Sequence, residues 1–353
     1  MPDWTKSMQQ TFEYYIVDPN TWQDTQRLTN VKSCTITRDI EVETLGSATI
    51  DVTESIGECY IRVYLVTIQN GIKEKFSLGT FLVQTPSSGF NGKIRNVSMD
   101  AYTPLLELKE NPPPLGYSIL KNENIMSMAY RLCREHMRAP VVETVSSDKL
   151  HYDFVSDPSS DTWLTFTSDL IANAKYEFDL DEKGRVLFTP KQDTASLQPI
   201  WTFDDSNSSI LYPEFDVDHD LYGIPNVVEV VYSNGGNYLY SRVVNDDSNS
   251  PVSTVSRGRE IIYRDSKPEL AGNPSQAMID EYANRLLREM SALEYTVTYT
   301  HGYCPVRTRD CVRLNYEKAG FRDIKAKVIS QKIKCTPGCP VTEKAVFTNK
   351  LWG

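Results

Sequence analysis

The chain has 353 residues, of which 40% are hydrophobic and 24% charged, with a formal net charge of -10. That length exceeds one ordinary core and predicts two or three globular domains. An acidic chain repels a phosphate backbone, so stable nucleic-acid binding is not expected, and no basic block offsets the balance. The Lys-rich stretch from Lys325 to Lys334 alternates with Ala, Val and Ile, the pattern of a strand with one wet face. The N-terminus lacks an apolar secretory core, and no apolar run approaches the ~20 residues that cross a bilayer. Synthesis in a cytoplasm is expected, with no membrane-spanning segment. Twenty Tyr against 12 Phe and 5 Trp suit half-buried strand faces, where the ring packs and the hydroxyl stays wet.

Residues 1–110 read as strands. Thr11 to Val17 has β propensity and ends at Asp18-Pro19-Asn20, a turn signal. Ser33 to Thr37 and Ser47 to Thr53 alternate apolar and polar residues. Tyr60 to Ile68 and Phe76 to Gln84 flank Asn70-Gly71, and both residues of that pair tolerate the positive φ of a tight hairpin. A second hairpin is predicted around Asn91-Gly92, returning through Asn96 to Tyr102. Pro112, Pro113 and Pro114 mark a stiff boundary.

Residues 111–222 read as a small mixed α/β region. Asn124 is placed to cap a helix whose buried face carries Ile125, Met128, Ala129, Leu132 and Cys133. Asp161 is placed to cap another, with Trp163, Phe166, Leu170, Ile171 and Ala174 inward. Lys175 to Leu180 and Arg185 to Thr189 form a hairpin, with Gly184 supplying positive φ in its turn.

Residues 223–353 open with a hairpin, Asn226 to Ser233 and Asn237 to Tyr240, around Gly235-Gly236. A helix over 273–293 follows, with Asn273 as N-cap, Pro274 in the first helical position and Gln276 three residues after the cap. Its core stripe is read as Met278, Tyr282, Leu286 and Met290, with Ala283 and Leu287 beside it. Strands at 294–300, 310–316 and 324–334 close the chain. The predicted class is α+β and β-rich: two β-barrel-like domains flank the mixed region, and the long helix packs on the second.

No motif carries an evident reaction. Asp216, Asp218 and Asp220 have the opening spacing of a calcium loop, but Leu221 and Val227 stand where Gly and Glu are required. Cys304, Cys311, Cys335 and Cys339 fall close together, and Pro337-Gly338 turns the last two toward each other. Four thiols suit a tetrahedral zinc. Their spacing lacks a tight knuckle in each half, so structural thiols are the favoured reading, with metal or disulfide as the alternative. Cys34, Cys59 and Cys133 read as scattered reduced thiols. His136, His151, His219 and His301 are far apart, and no serine-elbow, zincin or Walker pattern occurs. No catalytic residue and no cofactor are expected.

The order of these segments resembles phage tail baseplate hub proteins, found in contractile and siphophage tails and in related bacteriocin particles. The residues that carry the resemblance are Leu78 to Val83 with Val97 to Leu106, Thr162 to Ala172 with Phe178 to Phe188, and Ile224 to Val230 with Leu286-Leu287 and Arg309 to Leu314. It implies two tube-forming barrels per chain and a homotrimeric ring that adapts the six-fold tail tube to a three-fold spike or tip. The implied partners are the tail tube or distal tail protein above, the spike or tip protein below, and other baseplate proteins. DNA would pass through an acidic lumen without being held, and the location would be the virion tail baseplate. The chain ends at Trp352-Gly353 after a strand, so no hydrolase or fibre extension is expected. Two other classes compete: a tail-associated cell-wall hydrolase with its site in the middle region, and a glycan-binding adhesin using the Tyr and Trp side chains.

Overall fold

The computed structural model describes residues 1–90, 95–192, 196–219, 223–234, 237–266, 268, 274–290 and 292–350. The chain forms two compact units. The first comprises Met1–Phe215 with Thr298–Ala345, the second Asp216–Val297 with Val346–Gly353.

Seven strands open the first unit: β1 (Gln9–Val17), β2 (Asp24–Leu28), β3 (Val31–Asp39), β4 (Gly46–Val52), β5 (Tyr60–Gln69), β6 (Ile72–Phe90) and β7 (Arg95–Tyr102). The β5–β6 hairpin turns where the sequence places it. Gln69 pairs with Ile72, and Asn70 and Gly71 take φ of 52° and 78°. The alternation in β4 buries Ala48, Ile50 and Val52 on one face. The tip of the predicted hairpin at Asn91-Gly92 lies outside the described residues.

The mixed region comprises α1 (Leu106–Lys109), β8 (Ser118–Ile119), α2 (Ile125–His136), β9 (Phe154–Val155), α3 (Trp163–Ala172), β10 (Tyr176–Leu180) and β11 (Val186–Pro190). Asn124 caps α2 as expected, accepting from the Ser127 N–H. The cap of α3 is Thr162, one residue after the expected Asp161, in a reciprocal capping box with Thr165. The Asp161 carboxylate is already engaged, accepting from the Asp157 N–H at 2.6 Å. Both helices contribute to one apolar core with α1 and the β10–β11 hairpin, and Val17, Tyr60 and Leu82 from the strands and Trp22 from the β1–β2 turn belong to that core as well. Each fully buried large apolar side chain there stabilises the fold by roughly 1.5–3 kcal/mol.

The remaining strands are β12 (Pro199–Asp204), β13 (Leu211–His219), β14 (Val227–Asn234), β15 (Asn237–Val244), β16 (Ile262–Asp265), β17 (Ala292–Gly302), β18 (Cys311–Asn315), β19 (Ile324–Lys334) and β20 (Pro340–Lys350). The large sheet runs β13-β17-β20-β19-β3-β4-β7-β6-β5-β1-β2, with β18 also on β19 and β12 on β18. Strands from the beginning and the end of the chain therefore share one sheet. They meet at the antiparallel β3–β19 seam, where Ile36 faces Ile333 and Thr35 faces Lys334. The fold is β-rich α+β. Among the described residues the strand order is an open path, with no pairing that joins β2 back to β13.

The second unit holds a three-stranded sheet, β15-β14-β16, the short α4 (Thr254–Arg257) and the long α5 (Gln276–Met290). Helix α5 packs Ile279, Ala283 and Leu287 against Val228, Val230 and Tyr232. The core stripe is thus rotated from the one read in the sequence. Tyr282 and Leu286 are half-buried at its margin, and Met278 is 45% exposed. The helix begins at Gln276, with the Ser275 carbonyl and hydroxyl accepting its first N–H groups. The predicted cap, Asn273, lies outside the described residues, and Pro274 precedes the helix.

Candidate functional site

The four cysteines read as a possible zinc set do not converge on one point, although Cys335 and Cys339 are near enough that each feels the other's charge. Cys304 lies 3.8 Å from His301 Nδ1, and Cys311 points along β18 toward the Val312 carbonyl. Cys335 directly follows β19, next to Cys34 of β3. Cys339 follows the Pro337-Gly338 turn, with its N–H on the Thr336 carbonyl. All seven cysteines are free thiols. Among the described residues no group of three or more His, Cys, Asp or Glu is arranged to hold a metal ion.

One histidine does meet an acid. His301 on β17 and Glu343 on β20 are both fully buried, with Nε2 and Oε1 3.2 Å apart. Tyr299 donates to the other carboxylate oxygen at 2.6 Å, and Gln331 Nε2 donates to Oε1 at 2.6 Å. Arg38 Nη1 donates to Gln331 Oε1 at 3.1 Å, which ties β3 into the network. His301 Nδ1 lies 2.7 Å from the Gly302 carbonyl, so this nitrogen must carry a proton. Nε2 lies near the Glu343 carboxylate without making a hydrogen bond to it, and the negative charge there favours a second proton and the imidazolium form. Burial pulls the His301 pKa down, but the Glu343 carboxylate more than offsets this and raises it to about 10. Burial pushes the Glu343 carboxyl up, and His301, Tyr299 and Gln331 together hold it below its ordinary value. Tyr299, His301 and Glu343 line none of the four best-formed clefts among the described residues. The set has the residue types of an active site, yet it is sealed in the core. Its geometry suits an internal pin between β17, β19, β20 and β3.

Three of these clefts adjoin the β10–β11 hairpin. Its turn is gripped from two sides. The Lys183 carbonyl accepts from Trp22 Nε1 at 2.8 Å, Thr80 Oγ1 at 2.9 Å and Arg62 Nη2 at 3.3 Å. Gly184 beside it has φ of 73°, and a Cβ there would stand 2.8 Å from Thr80 Cβ. From the β17–β18 loop, Arg307 reaches Glu182 at 2.6 Å and donates to the Leu180 carbonyl. Arg309 donates to Glu177 at 2.9 Å and to the Phe178 carbonyl at 2.8 Å. Asp179 between them is raised by burial, a shift that Arg307 and Arg309 partly counter. A cleft of about 410 Å³ opens on one side, where Glu41, Val42, Ser168, Asp169 and Lys191 form part of the wall. A second, of about 280 Å³, opens on the other beside Gln198, Thr308 and Lys327. Both are of mixed charge, and their arginines are committed to holding the hairpin.

The sequence reading missed this clamp. Its signal was present as the charge-dense Arg307-Thr308-Arg309-Asp310 between two strands, but nothing local named the hairpin as its target.

The second unit presents a different surface. Strands β15 and β16 are the edges of its sheet. Tyr238 (65% exposed), Tyr240, Ile262 and Tyr263 stand open on them. Glu229 on β14 is clasped by Arg264 at 2.6 Å and Arg242 at 3.6 Å.

No family model matches the sequence, and no curated protein matches it. Solved structures do match the fold. A tail protein from Neisseria meningitidis superposes with a TM-score of 0.64 over 97% of this chain and 98% of its own, at 12% identity. A prophage tail protein from Shewanella oneidensis gives 0.64 over 95% and 98%, at 10% identity. A chain of the Francisella PdpA–VgrG complex gives 0.57, covering 97% of this chain and 53% of that one, at 11% identity. Nearly the whole chain therefore has a fold seen in phage tail proteins. Among the described residues no helix is long and apolar enough to cross a membrane.

Proposed function

We propose that the chain is the structural hub of a phage tail baseplate or of a tail-like particle. It assembles as a homotrimeric ring between the six-fold tail tube and a three-fold spike or tip, and DNA passes through the ring. The observation that carries this reading is the fold match to two tail proteins over 95% or more of both chains. The net charge of -10 suits a passage that must not retain DNA. The match to a chain of the PdpA–VgrG complex suits a protein that works within a larger assembly. Open strand edges in the second unit supply backbone groups that a neighbouring subunit or tail protein can pair.

Function by shape and contact, without catalysis, fits the sealing of the His301–Glu343 pair and the commitment of Arg307 and Arg309 to the hairpin. Native mass spectrometry of the purified chain tests assembly: a trimer supports the hub, while a persistent monomer or a hexamer contradicts it. A cell-wall clearing assay tests the hydrolase alternative in the same preparation. The adhesin alternative rests on exposed Tyr238 and Tyr240. It predicts glycan binding that is lost when both are replaced by Ser.

A further inference from the structure

The β3–β19 seam ends in two thiols. Beyond the last paired residues, Thr35 and Lys334, the Cys335 N–H donates to the Cys34 carbonyl at 2.9 Å. The two cysteines therefore continue the register of the antiparallel seam, facing each other and joined by one backbone hydrogen bond. Residues so paired have Cα atoms about 5.5 Å apart, inside the range of roughly 4.4–6.8 Å that a disulfide spans. Their side chains are in hydrogen-bond contact, and with burial this pushes the Cys34 thiol up. Both are buried, but Cys335 is followed at once by exposed Thr336, Pro337 and Gly338. The chain can thus open at that turn without unravelling the sheet.

We propose that Cys34 and Cys335 are a redox-active dithiol that closes into a disulfide across the β3–β19 seam in oxidising surroundings. The oxidant is a small-molecule disulfide of the glutathione type. When the turn opens, the Cys335 thiolate attacks one sulfur of the oxidant, forming a mixed disulfide and releasing one reduced thiol. Cys34 then attacks the Cys335 sulfur, the protein S–S bond forms, and the second reduced thiol leaves. The two protons lost by the protein end on the two released thiols, and the two electrons pass with them. In a reducing cytoplasm the pair stays open. Once closed, it covalently joins the strands at the start of the chain to those at its end. This inference does not depend on the hub reading.

The sequence favours structural thiols, and the disulfide it leaves open as an alternative is Cys335 with Cys339 across the Pro337-Gly338 turn. The two pairings are distinguishable. The full-length protein is incubated natively with excess oxidised glutathione, the remaining thiols are alkylated in denaturant, and the peptides are mapped without reduction. The expected result is a linked Cys34–Cys335 peptide pair and an intact mass lower by two hydrogen atoms. Alongside it, the melting temperature should rise, and reductant should reverse that rise. Cys34→Ser should abolish the linked pair and leave Cys335 in its alkylated or glutathionylated form. Recovery of Cys34 and Cys335 both fully alkylated, or of Cys335 linked to Cys339, would overturn the proposal. Should Cys34→Ser fold poorly, Cys339→Ser supplies the second arm, since it must leave the Cys34–Cys335 link intact.

Discussion

Replacing Glu343 by Gln should expose the pH dependence stored in the buried pair. The folded-state pKa of His301 is about 10 against an ordinary 6.5. A group raised in this way contributes its full stabilisation below the unfolded value and loses it as pH rises through the folded one. The window therefore runs from about 6.5 to about 10, with a slope of roughly 1.4 kcal/mol per pH unit. Over that span the gross effect is on the order of 5 kcal/mol. Breaking a buried ion pair by removing one partner costs about 3–5 kcal/mol, a consistent scale. Glu343→Gln should thus destabilise the first unit by about 3–5 kcal/mol near pH 7. The penalty should shrink steadily toward pH 10, where His301 in the native protein loses its charge. Urea unfolding of both proteins at a series of pH values, read as their difference, cancels the alkaline titration of unrelated Tyr, Lys and Cys. A difference that stays constant from pH 6.5 to 10, or one below about 1 kcal/mol throughout, would refute the imidazolium assignment. At the acid end the sign reverses for Glu343 itself. Its lowered pKa contributes stability above its unfolded value that is lost as pH falls through the folded one.

Other outcomes follow from single contacts. Leu287→Ala, at the fully buried centre of the α5 face, should cost about 2–5 kcal/mol. Met278→Ala, at the exposed flank, should be close to neutral; thermal unfolding of both checks the rotated stripe. Gly184→Ala forces a side chain into positive φ and against Thr80, and should destabilise by about 1–3 kcal/mol. Equal midpoints in urea for this variant and the parent would contradict the docked turn. Arg309→Ala leaves Glu177 without its partner and Asp179 with one cation fewer. It should make the hairpin region exchange amide hydrogen faster, an effect read by mass spectrometry of peptides spanning 176–190. Elemental analysis should find no stoichiometric zinc, because among the described residues Cys304, Cys311, Cys335 and Cys339 do not converge as a group of three or more ligands; one zinc per chain would contradict their placement.

Local patterns made much of this fold legible. Asn70-Gly71 fixes a hairpin through backbone conformation alone, and Asn124 fixes a helix start through one hydrogen bond. Both signals lie within four residues of their effect. The α5 stripe was misread by one position because Met278-Ile279 and Leu286-Leu287 offer two apolar choices per turn, and only the packed sheet decides between them. Asp161 and Thr162 are both good caps, and the choice turned on Asp161 already serving the Asp157 turn. The seam between β3 and β19 was illegible in principle. Alternation identifies each as a strand but says nothing of which strand it joins across nearly 300 residues. For the same reason Cys34 read as a scattered thiol and His301 as an isolated histidine, and nothing local named a target for Arg307 and Arg309. Each acquires its partner only through long-range pairing.

The most direct test of the central claim is an image reconstruction of the particle that carries this chain, counting its copies in the ring at the end of the tail tube. The account predicts three copies per ring, each contributing both of its strand-rich parts to the wall around an open channel. Six copies, a single copy, or a chain placed away from the tube axis would contradict it.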